Sequence, residues 1–352
     1  MSAQAPAPDA GRASDWPTLL ADNTRSGGQG ARPWAPPRGP RWQSKVEGPL
    51  RSAPVLSGDL LYVSTIPGFL NALDRATGRL KWRFRAPAAI HSTPSVAGGR
   101  VLFGCSDGKA YALDGKTGEK AWEFATEDEV WTSPAVRAGT VYFGSADGNL
   151  YAADLASGAR RWRQTLGGRI YSSAFAAADQ VCVGSGDGAV YSLDPETGKV
   201  RWRTPTGNGI DCSPALAGRT LLIGSQDFFF YALDADTGAV RWKHETGLGI
   251  TSSPAVGGER VLFGSKDGFL HALDIATGAP AWKTRVGEVV TAPPVVNGQV
   301  VWIQSGNLAA LGLADGKPLW RARLGSGVHS APVVGEDALY VANMEGQVYA
   351  LA

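Results

Sequence analysis

Eight positions in this 352-residue chain bring together side chains able to do chemistry: Arg51, His91, Trp131, Tyr171, Asp211, Thr251, Thr291 and His329. Successive members are 40 residues apart, except the last, which follows after 38. Each lies three residues before a proline or its equivalent, with Leu, Ile or Val before it and mostly serine after it. As a catalytic set, His91 or His329 would serve as general base and Tyr171 as proton donor, with Arg51 clamping an anion and Asp211 orienting a base. As a binding set, Trp131 and Tyr171 would supply flat apolar faces, and Arg51, Asp211 and the two histidines would orient what lies on them. Thr251 and Thr291 complete the series. Phe228 joins it from a neighbouring turn, where Asp227-Phe228 replaces the Asp-Gly of Asp107-Gly108, Asp147-Gly148, Asp187-Gly188 and Asp267-Gly268. A bulky residue at a turn glycine costs backbone ease and leaves an aromatic ring in solvent.

Such a series needs a scaffold with the same period, and the tryptophans supply it. Trp42, Trp82, Trp122, Trp162, Trp202, Trp242, Trp282 and Trp320 recur at 40 residues, with 38 at the last step. A period of this length belongs to solenoids, propellers or arrays. Within one unit, four short β-prone runs such as 252–256, 261–264, 269–273 and 281–283 are separated by Gly258, Asp267-Gly268 and Thr277-Gly278. Asp-Gly and Thr-Gly between apolar runs signal hairpins, and no useful length carries a helical period. Four antiparallel strands per unit make a propeller blade. Full units begin near Ser52, Ser92, Thr132, Ser172, Cys212, Ser252 and Ala292. The eighth begins at Ser330 and ends one strand short, so residues 41–46 are expected to supply its outer strand and close the ring. The expected fold is therefore all-β, an eight-bladed propeller over residues 41–352, preceded by a Pro/Gly-rich lead-in at 1–40.

Between third and fourth strands the units read Ala-x-Asp-x-x-Thr-Gly-x-x-x-Trp. The motif is complete at Ala72 to Trp82, Ala112 to Trp122, Ala232 to Trp242 and Ala272 to Trp282. Ser157 and Ser192 vary it in the third and fourth copies, and Gly312 replaces the aspartate in the seventh. This resembles the tryptophan-docking motif of the PQQ-like (quinoprotein-type, BamB-like) β-propeller repeat family, over about 310 residues. The resemblance implies an extracytoplasmic protein and brings three functions into view. The first is a non-catalytic propeller binding a small-molecule or peptide ligand, or a protein partner, at the mouth of its channel, and this is the expectation. The second is a cofactor-free enzyme built on the ring. The third is a PQQ-dependent dehydrogenase with calcium, which the sequence disfavours: such enzymes carry adjacent cysteines and a Glu/Asn/Asp calcium set, whereas Asp211 is the sole acid of the ring and no two cysteines adjoin.

Composition narrows the field further. With 34 Lys+Arg against 32 Asp+Glu, the chain has no basic excess to suggest nucleic-acid binding. Its recurrent cations Arg83, Arg163, Arg203, Lys243, Lys283 and Arg321 follow the tryptophans around the rim. No apolar run approaches the roughly 18 residues of a membrane helix, and a monomer is expected. His271 takes a tyrosine's place and His244 a phenylalanine's, both as packing residues. The turn aspartates read as hairpin chemistry rather than calcium ligands, and no His/Cys spacing matches a metal site. Of three cysteines, Cys105 and Cys182 replace core or serine positions, while Cys212, beside Asp211, is a candidate reactive thiol. Ala3-Gln4-Ala5 reads as the tail of a secretory cleavage site, pointing to a periplasmic or secreted location.

Overall fold

A computed structural model describes residues 35–325 and 330–352. Their secondary structure is entirely strands and turns, gathered into eight four-stranded antiparallel sheets. Seven sheets are consecutive meanders, at residues 55–85, 95–125, 135–165, 175–205, 215–245, 255–285 and 295–322, here blades one to seven. The eighth pairs three C-terminal strands with Pro40–Lys45, whose Trp42, Gln43 and Ser44 face Ala350, Tyr349 and Val348. The first and last described strands thus pair in one sheet, which completes the eighth blade. Residues 1–34 of the lead-in expected at 1–40 lie outside the described residues.

Alternation along the strands sorts the packing. Middle strands such as Val181–Ser185 and Ala189–Leu193 are buried along their whole length, because blades cover both faces. Outer strands such as Val200–Pro205 bury alternate residues and expose charges between them. At the joints, Trp42, Trp82, Trp122, Trp162, Trp202, Trp242 and Trp282 each donate the indole N–H to a carbonyl of the next blade's turn, at 2.8–3.0 Å. That turn's glycine lies against the ring. Gly198 has φ +71°, and a Cβ there would meet Trp162 at 2.6 Å, so conformation and close approach both demand glycine. The motif aspartate holds the turn's shape: Asp194 Oδ1 accepts from the Thr197 amide and hydroxyl, each at 2.9 Å. The Arg201 guanidinium first, and these bonds next, hold the Asp194 carboxyl down to about 2.

A second device orders the blades around the channel. The amide of Ala53 donates to Thr93 Oγ1 at 3.2 Å, Thr93 to Ser133 Oγ at 3.0 Å and Ser133 to Ser173 Oγ at 2.8 Å. Ser173 continues to Ser213 Oγ and Ser213 to Ser253 Oγ, both at 3.0 Å. This belt of hydroxyls ties the segments entering the innermost strands of blades one to six, two residues beyond each ring position.

Candidate functional site

The belt and its flanks explain why one position per blade is free to vary. The residue before each ring position (Leu50, Ile90, Val130, Ile170, Ile210, Ile250, Val290) is at most 1 % exposed. Its amide is bonded to the preceding blade, as Ile210 N to Ser185 O at 3.1 Å and Ile250 N to Ser225 O at 3.0 Å. A Cβ at Gly224 would collide with Ile250, so the glycine there makes the seat for that side chain. The residue after each ring position is buried too, and in blades one to five it bonds its own blade. Ser92 Oγ donates to Gly104 O and accepts from Gly104 N, both at 2.9 Å. Thr132 makes the same pair with Gly144. Between two buried anchors, Arg51, Trp131 and Thr291 are exposed and His91, Tyr171, Asp211 and Thr251 half-buried. His329 lies outside the described residues.

Three ring members form a continuous aromatic arc across blades two to four. The His91 and Trp131 centroids are 4.4 Å apart, and those of Trp131 and Tyr171 5.1 Å. Trp131 keeps 37 % exposure while its indole N–H donates to Ser106 Oγ at 2.9 Å, so the ring is held yet open to solvent. Arg169 Nη1 reaches the Tyr171 hydroxyl at 3.4 Å. Partial burial, and then the Arg51 guanidinium, hold the His91 imidazole below its ordinary range against the opposing pull of Glu129. A neutral imidazole suits stacking beside an indole.

Blades five and six carry a different arc. Gln226 Nε2 donates to Asp211 Oδ2 at 2.6 Å, and Lys266 Nζ approaches Gln226 Oε1 at 3.5 Å. Burial pushes the Asp211 carboxyl up, and Lys266 only partly offsets it. Next along the ring, Thr251 Oγ1 is buried with no hydrogen-bond partner among the described residues. Hydroxyls in that state are uncommon in folded proteins.

Ser106, Gln226 and Lys266 occupy one equivalent place in their hairpins and form a second ring beside the first. Main-chain bonds set the register: Ser106 N to Ala89 O at 2.9 Å, Gln226 N to Gly209 O at 3.0 Å and Lys266 N to Gly249 O at 3.1 Å. Comparison of the repeats carried the signal, because the residue after Gly-Ser or Gly-Cys reads Ser106, Ala146, Gly186, Gln226 and Lys266, while its neighbours hardly change.

Several expectations meet the geometry differently. Phe228 is 45 % exposed at φ +76°, as a bulky residue at a turn glycine implies. No ring contact joins it to the arc among the described residues, and Thr246 N donates to its carbonyl at 2.8 Å. Cys212 is not an open thiol. It is 1 % exposed and repeats the serine clamp, with Sγ 3.1 Å from Gly224 O and accepting Gly224 N at 3.2 Å. His271 is packed and buried, with Nε2 3.4 Å from Asp267 Oδ2, where Tyr111, Tyr151, Tyr191 and Tyr231 bond the matching aspartates. Each turn aspartate also caps its own hairpin, as Asp187 Oδ1 does with Ala189 N at 3.1 Å. Among the described residues, Arg51, His91, Tyr171 and Asp211 share no hydrogen bond with one another, and no cluster of three His, Cys, Asp or Glu stands ready for a metal. Asp211, the one acid of the ring, is engaged by Gln226 through Oδ2. No helix among the described residues is long and apolar enough to cross a membrane.

Comparison with known proteins places this geometry. The profile of the family described as outer membrane protein assembly factor BamB matches residues 35–243, 164–288, 230–308 and 276–352. No curated protein matches the chain in sequence. Among solved structures, BamB from Moraxella catarrhalis superposes with a TM-score of 0.76 at 21 % identity, covering 87 % of this chain and 97 % of that one. Quinohemoprotein alcohol dehydrogenase from Comamonas testosteroni gives 0.84 at 18 % identity, over 97 % of this chain and 81 % of its own. The computationally designed Ika8 protein gives 0.78 at 18 % identity, over 89 % and 100 %. Fold is shared by proteins with and without a redox reaction, so the mouth has to carry the functional argument.

Proposed function

The chain belongs to the family of outer membrane protein assembly factor BamB, and from that premise we propose that it is a non-catalytic, extracytoplasmic propeller whose channel mouth binds a protein partner or an extended ligand. The observation that carries this reading is the His91–Trp131–Tyr171 arc, a held but exposed aromatic ledge on a scaffold that buries the residues on either side of each ring position. Aromatic anchors of this kind supply much of the energy of partner recognition. Arg51 and Arg169 flank the arc, and Glu127, Asp128 and Glu129 lie in the loop that delivers Trp131, so the ledge is rimmed by both signs of charge. A partner segment with an apolar or flat side chain between charged neighbours matches it.

The catalytic reading is the weaker one. General base catalysis needs a base within reach of an orienting group, and Asp211 is held by Gln226 in blade five while His91 packs on Trp131 in blade two. A quinone is not required by this reading either. Peptides selected from a random library on the intact protein test the proposal. They are expected to lose at least tenfold in affinity for the W131A/Y171A double variant, and undiminished binding to that variant would refute it. A parallel titration with pyrroloquinoline quinone and calcium, read by absorbance, is expected to show no saturable change.

A further inference from the structure

Blade seven differs from its neighbours in one hairpin. Its second and third strands, Val300–Ser305 and Asn307–Gly312, are joined through Gly306 alone, two residues shorter than elsewhere, so the turn aspartate of blades two to six is missing. Blade four shows what that aspartate does. Asp187 Oδ2 accepts from the Tyr191 hydroxyl at 2.6 Å and from Arg203 Nη2 at 3.1 Å, while Arg203 Nε donates to the Tyr191 oxygen at 3.0 Å. In blades three, five and six the matching carboxylate also caps a loop amide, that of Glu127, Gly207 or Gly247.

Blade seven keeps the guanidinium and the loop amide and loses the carboxylate and the tyrosine. Arg321 stands in register with Arg203, but its cross-strand partner is Ala309 where Arg203 faces Tyr191. The loop amide counterpart is Gly287 N, which makes only a long 3.4 Å bond to Gly268 O. Of the cations that follow the tryptophans, Arg83, Arg163 and Arg203 pair with carboxylates, and Lys243 and Lys283 lie over phenylalanine rings. Arg321 has neither kind of partner among the described residues. In place of the missing groups is a cavity of about 620 Å³, lined by Arg285, Arg321, Gly287, Glu288, Val289 and Ser305 among others. Its two guanidinium groups outnumber its one carboxylate.

We infer that this cavity is a carboxylate-binding site, in which a carboxylate from an acidic peptide side chain or a small organic acid takes the place of the turn aspartate that blade seven lacks. Arg321 supplies the charge-assisted donor, as Arg203 does for Asp187. The Gly287 amide lines the same cavity, Val289 offers an apolar wall, and Glu288 offsets part of the charge of the two guanidinium groups. The site lies outward of the mouth and does not depend on the reading given for the aromatic arc.

Saturation-transfer NMR on the intact protein tests this with three probes: acetyl-Asp-Gly-amide, acetyl-Asn-Gly-amide and succinate. Saturable binding of the aspartyl probe or succinate is expected, with the asparaginyl probe at least tenfold weaker. Arg321→Gln should weaken binding at least tenfold, Glu288→Gln should strengthen it severalfold, and Arg203→Gln, in the filled blade, should leave it unchanged. Binding of the aspartyl probe alone identifies a peptide side chain as the source, and binding of succinate alone identifies a free acid. Equal binding of the aspartyl and asparaginyl probes, indifference to R321Q in a variant that melts like the parent, or no saturable binding of any probe would overturn the inference.

Discussion

Trp202 and Trp131 are the same residue put to opposite use. Trp202 is 9 % exposed, wedged at a blade joint with its N–H on Ala235 O at 3.0 Å. Trp131 is 37 % exposed at the channel mouth, with its N–H on Ser106 Oγ at 2.9 Å. The joint recurs at seven of the eight tryptophans, because each pair of blades poses the same packing problem. The mouth position changes in almost every repeat, because its anchors are met by the residues on either side and its own side chain is released from packing. Uniformity in this molecule marks cohesion, and variation within uniformity is where recognition is proposed.

That contrast can be broken by substitution. Trp202→Ala removes a buried ring and its hydrogen bond, and should cost about 3–5 kcal/mol in urea unfolding, whereas Trp131→Ala should cost less than about 1 kcal/mol. A joint that tolerated alanine as well as the mouth does would abolish the distinction. Phe228→Gly should raise stability by about 1 kcal/mol, because it removes a bulky residue from a left-handed turn. An unchanged or lowered unfolding midpoint would show that the ring is held by contacts.

Titration sharpens the comparison further. Burial, first among the causes, holds His91, His244 and His271 below the ordinary 6.5, so the folded state takes up their protons less readily than the unfolded chain. Stability should therefore decline as pH falls below 6.5. His271→Tyr, which restores the residue of the neighbouring blades, should flatten part of that decline in denaturation midpoints measured across the range. Asp211 has the opposite sign. Its raised pKa means that its ionisation costs the fold stability as pH rises through 3.8 and beyond. Asp211→Asn should give a small gain at neutral pH that vanishes in acid, the least of these effects.

Much of this was legible in the repeat itself. The 40-residue period, the Asp-Gly and Thr-Gly turns and the missing last strand dictate eight blades and their closure, and the odd position in each unit picks out Arg51 to Thr291. The partners of that position were harder to read. Trp131 meets Ser106 and Asp211 meets Gln226 only because the loop entering each innermost strand lies on hairpins 25 and 15 residues upstream or downstream. The exposure of Phe228 follows from its turn, where it stands at φ +76°. Cys212 was a candidate thiol beside Asp211, yet in the segment that enters the innermost strand Cys212 turns inward onto Gly224 while Asp211 meets Gln226.

The central claim is that the mouth, and not the joints, receives the partner. Fluorine NMR of the protein labelled with 5-fluorotryptophan reports on all 12 indoles at once, with the Trp131 signal assigned by its loss in Trp131→Phe. On addition of a library-selected peptide, the account predicts a saturable shift of the Trp131 resonance while those of Trp82, Trp122, Trp162, Trp202, Trp242 and Trp282 stay in place. Shifts at those joint tryptophans with a stationary Trp131 would contradict it.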